Sequence, residues 1–202
     1  MELLLIRHGL PERVEHDNGD VADPSLAEAG RQQSEALASH LSGEPIDAIY
    51  ASTAARARET AAPLAADRGL EVPTREALVE YDFGSSSYVP IEEAEPDDPV
   101  MARWQAWLQP LEAGSEPDRF RERVMTAMDQ IVQAHRSQTV AVVCHGGTIN
   151  AYLSGLMGVD RPMIFVPDYT SVSRLSISSG GFWFLESIND RSHLSSIAGV
   201  RG

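Results

Sequence analysis

Two kinds of apolar pattern alternate along the chain. Leu3-Leu4-Leu5-Ile6, Ala48-Ile49-Tyr50-Ala51 and Val140-Ala141-Val142-Val143 are short unbroken runs, as expected of strands covered on both faces. Between them lie stretches with helical spacing. Ser25-Leu26-Ala27-Glu28 contains the Ser-x-x-Glu capping pattern, and Leu37 with Leu41 marks one face of a helix ending near Gly43. A helix rich in alanine and arginine is expected over residues 54–68, stopped by Gly69 and kinked or broken at Pro63. Residues 70–74 form a short third strand in this reading, and Pro73 places it at a sheet edge.

Downstream, helices are expected over residues 101–111 and 118–136. The second has Phe120, Val124, Met128, Ile131 and Val132 on a helical repeat, which is a core face. The strand over 139–144 is followed by a helix over 147–156, and strands over 172–178 and 182–187 flank a turn at Gly180-Gly181. This order predicts a three-layer α/β/α sandwich with a mainly parallel central sheet and an antiparallel edge hairpin. The 202 residues suit a single domain, 1–202. One stretch differs from its surroundings: residues 80–99 hold Ser85-Ser86-Ser87, three prolines and the acidic set Glu92, Glu93, Glu95, Asp97 and Asp98. Residues 81–115 are accordingly expected to form a loop and helix lid over the site.

Composition narrows the function classes. The formal net charge of -14 would repel a polyanion, which argues against nucleic acid and anionic membrane as partners. No run approaches the ~20 apolar residues of a spanning helix, and no signal-like stretch precedes the first strand, so a cytoplasmic protein is expected. A single cysteine agrees with a reducing compartment.

Against this acidic background, cationic side chains gather at the strand ends. Arg7-His8-Gly9 follows the first strand, Ser52 and Arg56 follow the second, and Cys144-His145-Gly146-Gly147 ends the central one. Ligands of parallel α/β sheets bind outside the carboxyl ends of the strands, where these segments converge. Arginine forks and a glycine-led helix N-terminus suit a phosphate group. His8 could be a nucleophile, a metal ligand or a structural histidine, and taken alone the structural reading would win. Metal is disfavoured because the six histidines form neither an H-E-x-x-H pair nor a Cys/His pair with zinc spacing. A cysteine-phosphatase loop would need arginine six positions after Cys144, where Asn150 stands, and no nucleotide P-loop occurs.

Leu5-Ile6-Arg7-His8-Gly9, the helix start from Leu26 to Gln33, Ser52 to Arg56 with Thr60, Leu78-Val79-Glu80, His145-Gly146-Gly147 and the closing Asn189-Asp190-Arg191-Ser192-His193-Leu194 together resemble the histidine phosphatase superfamily, its phosphoglycerate-mutase-like branch 1. The resemblance implies a metal-independent phosphomonoester hydrolase needing no cofactor. It implies that His8 is the nucleophile of a phosphohistidine intermediate, that Arg7, Arg56, His145 and Gly146 bind the phosphoryl oxygens, and that Glu80 is the general acid and base, with Asp82 in reserve. A neutral His8 and a cationic His145 are expected to share the site. The chain departs from the family pattern at Pro11 and Val14, where threonine and asparagine are usual, and after Glu80, where Phe83 to Tyr88 replace a turn rich in glycine and tryptophan.

Hydrolysis is favoured over mutase-type phosphotransfer, because the basic insertion of mutases is absent and the corresponding stretch is acidic. A non-catalytic phosphate-binding module is the other alternative. The expected substrate is a small phosphomonoester of low charge or a phosphorylated side chain, and the terminal hairpin offers an edge for homodimer pairing.

Overall fold

The apolar runs do form the sheet. In the computed structural model, which describes residues 1–16, 19–90, 93–95, 101, 105 and 107–196, β1 (Glu2–Arg7), β3 (Ala48–Ser52), β4 (Thr74–Arg75) and β6 (Thr139–Cys144) run parallel. β7 (Val172–Ile177) and β8 (Trp183–Asp190) add an antiparallel hairpin, giving the order β4-β3-β6-β1-β7-β8. β1 and β6 lie at the centre in register, with Arg7 beside Cys144. That register brings His8 and His145, each the next residue, to the same edge.

Alternation within β1 and β6 divides the core in two. Leu3, Leu5, Val140 and Val142 face α3 (Glu116–Ala134) and α4 (Gly146–Met157), meeting Phe120, Val124, Met128, Ile149 and Tyr152. Leu4, Ile6, Ala141 and Val143 face α1 (Glu28–His40) and α2 (Ala55–Ala66), meeting Leu37, Leu41, Ala57, Ala61 and Leu64. The three-layer α/β/α sandwich with a mainly parallel sheet and an antiparallel edge hairpin is therefore the observed fold.

Each difference from the expected elements has a specific cause. α1 begins at Glu28 with Ala27 as its cap, not at Ser25, because tertiary partners satisfy the preceding N–H groups: Leu26 N–H donates to Glu59 Oε2 (2.7 Å) and Ala27 N–H to Leu10 O (2.9 Å). α2 continues through Pro63, since its buried face of Ala57, Ala61, Leu64 and Ala65 holds it on the sheet, and Asp67 N–H still donates to Pro63 O. Proline has no N–H to give a ladder, so β4 pairs only from Thr74, although Pro73 O still accepts from Ala51 N–H. Of the helix expected over 101–111, residues 102–104 and 106 lie outside the described set, as do Glu92, Asp97 and Asp98, while Met101, Gln105 and Trp107 are helical and the chain turns at Leu108. A two-stranded ribbon that the pattern did not suggest joins β2 (Val14–Glu15) to β5 (Ser87–Tyr88).

Candidate active site

Arg7, His8, Arg56, Glu80, Asp82, Gly146 and Gly147 line one cleft beyond the carboxyl ends of β1, β3 and β6. Tyr81, Tyr88, Val89, Met163, Val166 and Pro167 complete its wall. The free space at its centre is about 50 Å³, a few water molecules' worth at ~10–15 Å³ each. That accommodates a phosphoryl group.

His8 is 2 % exposed, and its Nδ1 lies 2.7 Å from Gly9 O. A carbonyl only accepts, so the proton of the neutral ring sits on Nδ1 and the lone pair on Nε2. Burial first, then Arg56 and Arg7, lower its pKa well below the usual imidazole value. The ring is thus neutral at physiological pH, as a nucleophile requires. Gly9 N–H donates to Thr60 Oγ1 (2.9 Å), and Thr60 Oγ1 donates to Arg56 O (2.7 Å). One hydroxyl thereby ties the turn after His8 to the first turn of α2.

His145 caps α4, its ring centroid 5.0 Å from that of His8. Ser52 Oγ accepts from Ala54 N–H (3.3 Å) and lies 2.7 Å from His145 Nε2. The hydroxyl keeps a second lone pair and its proton, so it pairs with this nitrogen in either tautomer of the ring. Nδ1 is buried with no hydrogen-bond partner in the protein. The cationic His145 expected from the sequence is not what this environment favours. Burial first, then Arg56, His8, Arg7 and Arg123, lower its pKa well below the usual value. Positive charge is left to the arginines and the N-terminus of α4.

Arg7 Nη1 donates to Pro167 O (2.6 Å), and its guanidinium lies 3.8 Å from the centre of the Tyr169 ring. Arg56 is 1 % exposed, with Tyr88 stacked 4.5 Å away and Asp23 Oδ1 3.9 Å from Nη1. Its Nε and Nη1 are buried without hydrogen-bond partners. Such donors are costly to leave unmade, and they match the oxygens of a phosphate dianion.

Glu80 follows the short 3-10 turn Glu76–Leu78. Gly147 N–H donates to its Oε2 (2.7 Å) and Tyr81 N–H to its Oε1 (3.0 Å). Burial first, then the Asp82 carboxylate, raise its pKa to about 7, in spite of those two donors. A carboxyl poised near neutrality can give a proton and take it back. A Cβ at Gly147 would stand 2.3 Å from Glu80 Oε1, so any larger residue there would displace the carboxylate.

The expected residues Arg7, His8, Arg56, Glu80, Asp82, His145 and Gly146 thus come together. Cys144 is fully buried behind them, its thiol pushed up in pKa by burial, as a small hydrophobe would be. Sequence reasoning missed Tyr88, Pro167 and Tyr169. Tyr88 lies on the short strand β5 and Pro167 and Tyr169 on a loop; the course of each depends on tertiary pairing, and none stands in a short motif. Among the described residues, no group of three or more His, Cys, Asp or Glu is placed to hold a metal ion.

Known proteins resemble this chain in sequence and in fold. Residues 3–191 match the family model of the histidine phosphatase superfamily, branch 1. The chain is 33% identical to phosphoserine phosphatase 1 of Hydrogenobacter thermophilus over 79% of its own length and 78% of that protein. It is 30% identical to phosphoglycerate mutase-like protein 4 of Arabidopsis thaliana, over 96% and 86% of the two chains. Its structure resembles phosphoserine phosphatase from Entamoeba histolytica in complex with 3-phosphoglyceric acid, with a TM-score of 0.74 and 25% identity over 96% of this chain and 98% of that one. The chain belongs to branch 1 of the histidine phosphatase superfamily.

Proposed function

We propose that the protein hydrolyses small phosphomonoesters without a metal, through a phosphohistidine on His8. The observation that carries this is His8, neutral and with Nε2 available, beside Arg7 and Arg56 and across the cleft from a Glu80 carboxyl with a pKa of about 7. In the first step Nε2 forms a bond to phosphorus while the bond to the leaving oxygen breaks, and Glu80 gives its proton to that oxygen. In the second step the Glu80 carboxylate takes a proton from water, the water oxygen bonds to phosphorus and the N–P bond breaks. Phosphate leaves and Glu80 is protonated again. Arg7, Arg56, His145 and the N-terminal turn at Gly146 compensate the charge of the equatorial oxygens.

Phosphoserine and 3-phosphoglyceric acid are the substrates to test first, because relatives are named for one and crystallised with the other. The small cleft and the Tyr88-Val89 wall, part of the proposed lid over 81–115, support a compact leaving group. Purified protein in EDTA should turn over p-nitrophenyl phosphate and accumulate acid-labile phosphate on the protein, and His8→Ala should do neither. Activity that needs a divalent metal, or phosphate binding with no turnover across a broad substrate panel, would overturn this in favour of another mechanism or a binding module.

No helix among the described residues is long and apolar enough to cross a membrane, and a cytoplasmic setting completes the proposal. A homodimer through the β8 edge is also part of it, supported by Phe184 and Ile188, which are 58% and 43% exposed on that strand. Light scattering should give twice the mass of one chain, and Phe184→Lys should halve it. A monomeric wild type removes this element.

A further inference from the structure

Sheet register fixes where the backbone of Arg7 and His8 lies, but the loop at 167–171 fixes where their side chains point. Pro167 O receives Arg7 Nη1, and Ser171 O receives Arg7 N–H (3.2 Å). Thr170 N–H donates to His8 O (3.3 Å), and the Tyr169 ring faces both the Arg7 guanidinium and the His8 ring, the latter 5.8 Å away. Thr170 adopts φ 55°, in the left-handed region that a β-branched residue rarely enters. Such a backbone persists only when its surroundings hold it.

The closing segment of the chain supplies that hold. The pairing of β7 with β8 shifts register between Val172 and Arg174, giving β8 an extra residue and freeing Asn189 from the ladder. Asn189 then clamps Asp168 twice: its Oδ1 accepts from Asp168 N–H (2.7 Å) and its Nδ2 donates to Asp168 Oδ2 (2.8 Å). Thr170 Oγ1 donates to Tyr169 O (2.7 Å) and lies 3.0 Å from His193 Nε2. With its own proton committed, the hydroxyl accepts from that ring. None of these residues lines the cleft.

We infer that residues 189–193 form a brace that positions Arg7 and His8 through the 167–171 loop, with Asn189 its principal positioning residue. The inference rests on the phosphate-binding role proposed for Arg7. A 1 Å misplacement of a binding group can cost about 100-fold. Releasing the clamp is expected to act mainly on phosphate affinity, because the Arg7 guanidinium is held through Pro167 O and Tyr169, whereas the His8 ring is held also by Gly9 O.

The test is a double-mutant cycle on the full-length protein, reading kcat and KM for p-nitrophenyl phosphate and the affinity for inorganic phosphate by calorimetry. Asn189→Asp sets two carboxylates against each other and should raise KM and weaken phosphate binding together, about tenfold, with a smaller change in kcat. Adding Asp168→Asn returns an amide donor to the pair and should recover most of both losses. Asn189→Gly keeps the left-handed backbone that Asn189 adopts, φ 55°, and should behave like Asn189→Asp. Single variants within twofold of wild type, losses confined to melting temperature, or a double variant with additive losses would each overturn the brace. A wild type that binds phosphate but never turns over would overturn the proposed reaction instead, and the affinity cycle would still decide the brace.

Discussion

At the scale of single residues, the proton inventory of the cleft sets the pH behaviour. The first chemical step needs protonated Glu80, whose pKa of about 7 is raised by burial and Asp82. With an alkyl phosphate as substrate, kcat should therefore fall as pH rises through 7. Glu80→Gln should lose about 10²- to 10⁴-fold on alkyl phosphates, and much less on p-nitrophenyl phosphate, whose leaving group needs no proton. The reverse ranking, with Asp82→Asn carrying the larger loss, would transfer the role of acid to Asp82. A stability effect of definite sign accompanies this. Because the folded carboxyl titrates above its unfolded value of 4.5, its ionisation opposes folding. The opposition is absent below pH 4.5 and complete above pH 7. Chemical denaturation should find that Glu80→Gln gains stability relative to wild type across that window. Tyr88 was invisible at this scale from the sequence. It stacks on Arg56 while pairing with Val14 across the β2–β5 ribbon, and Val14 is a position where this chain differs from the resembled pattern.

At the scale of elements, the approach of α1 to the turn after His8 is what holds the nucleophile's loop. Leu10 N–H donates to Gln33 Oε1 (2.8 Å), and a Cβ on Gly30 would stand 2.0 Å from Leu10 O. Backbone cannot yield that distance without moving the helix. Gly30→Ala should destabilise by roughly 2–3 kcal/mol, in the range of overpacked cores, and should lower kcat by disturbing the turn at Gly9. Urea denaturation checks the first effect, and an unchanged midpoint would show that α1 can move freely. Elements with an uninterrupted apolar run or a long amphipathic repeat were legible beforehand, β1, β3, β6 and α3 among them, because burial on a known face determines both the pattern and the structure. Thr74–Arg75, Val14–Glu15 and the start of α1 were not. Their boundaries follow from which distant group satisfies a backbone N–H, as Glu59 does for Leu26 and Leu10 for Ala27, and local composition does not encode that. The same reasoning explains the site: motif residues at strand ends could be placed together from sheet topology, whereas Pro167, Tyr169 and Asn189 act through loop geometry that a linear pattern leaves open.

At the scale of the whole molecule, a net charge of -14 surrounds a cleft built on two buried arginines. The two fields act over different ranges. Arg7 and Arg56 act within a few ångströms at low dielectric, while the acidic surface acts on an approaching anion over the Debye length, about 30 Å at 0.01 M salt and about 10 Å at 0.1 M. Capture therefore opposes the long-range field before the arginines take hold. Raising salt from 0.01 to 0.1 M should increase kcat/KM severalfold for a substrate with three negative charges. It should do so less for a dianion, and leave kcat almost unchanged, since the bound group is shielded from solvent. Stopped-flow or steady-state assays at constant pH would measure this directly. A fall in kcat/KM with salt would mean that the arginine cleft, and not the acidic shell, governs the encounter, and a substrate of higher charge would then fit the protein better than a small monoester.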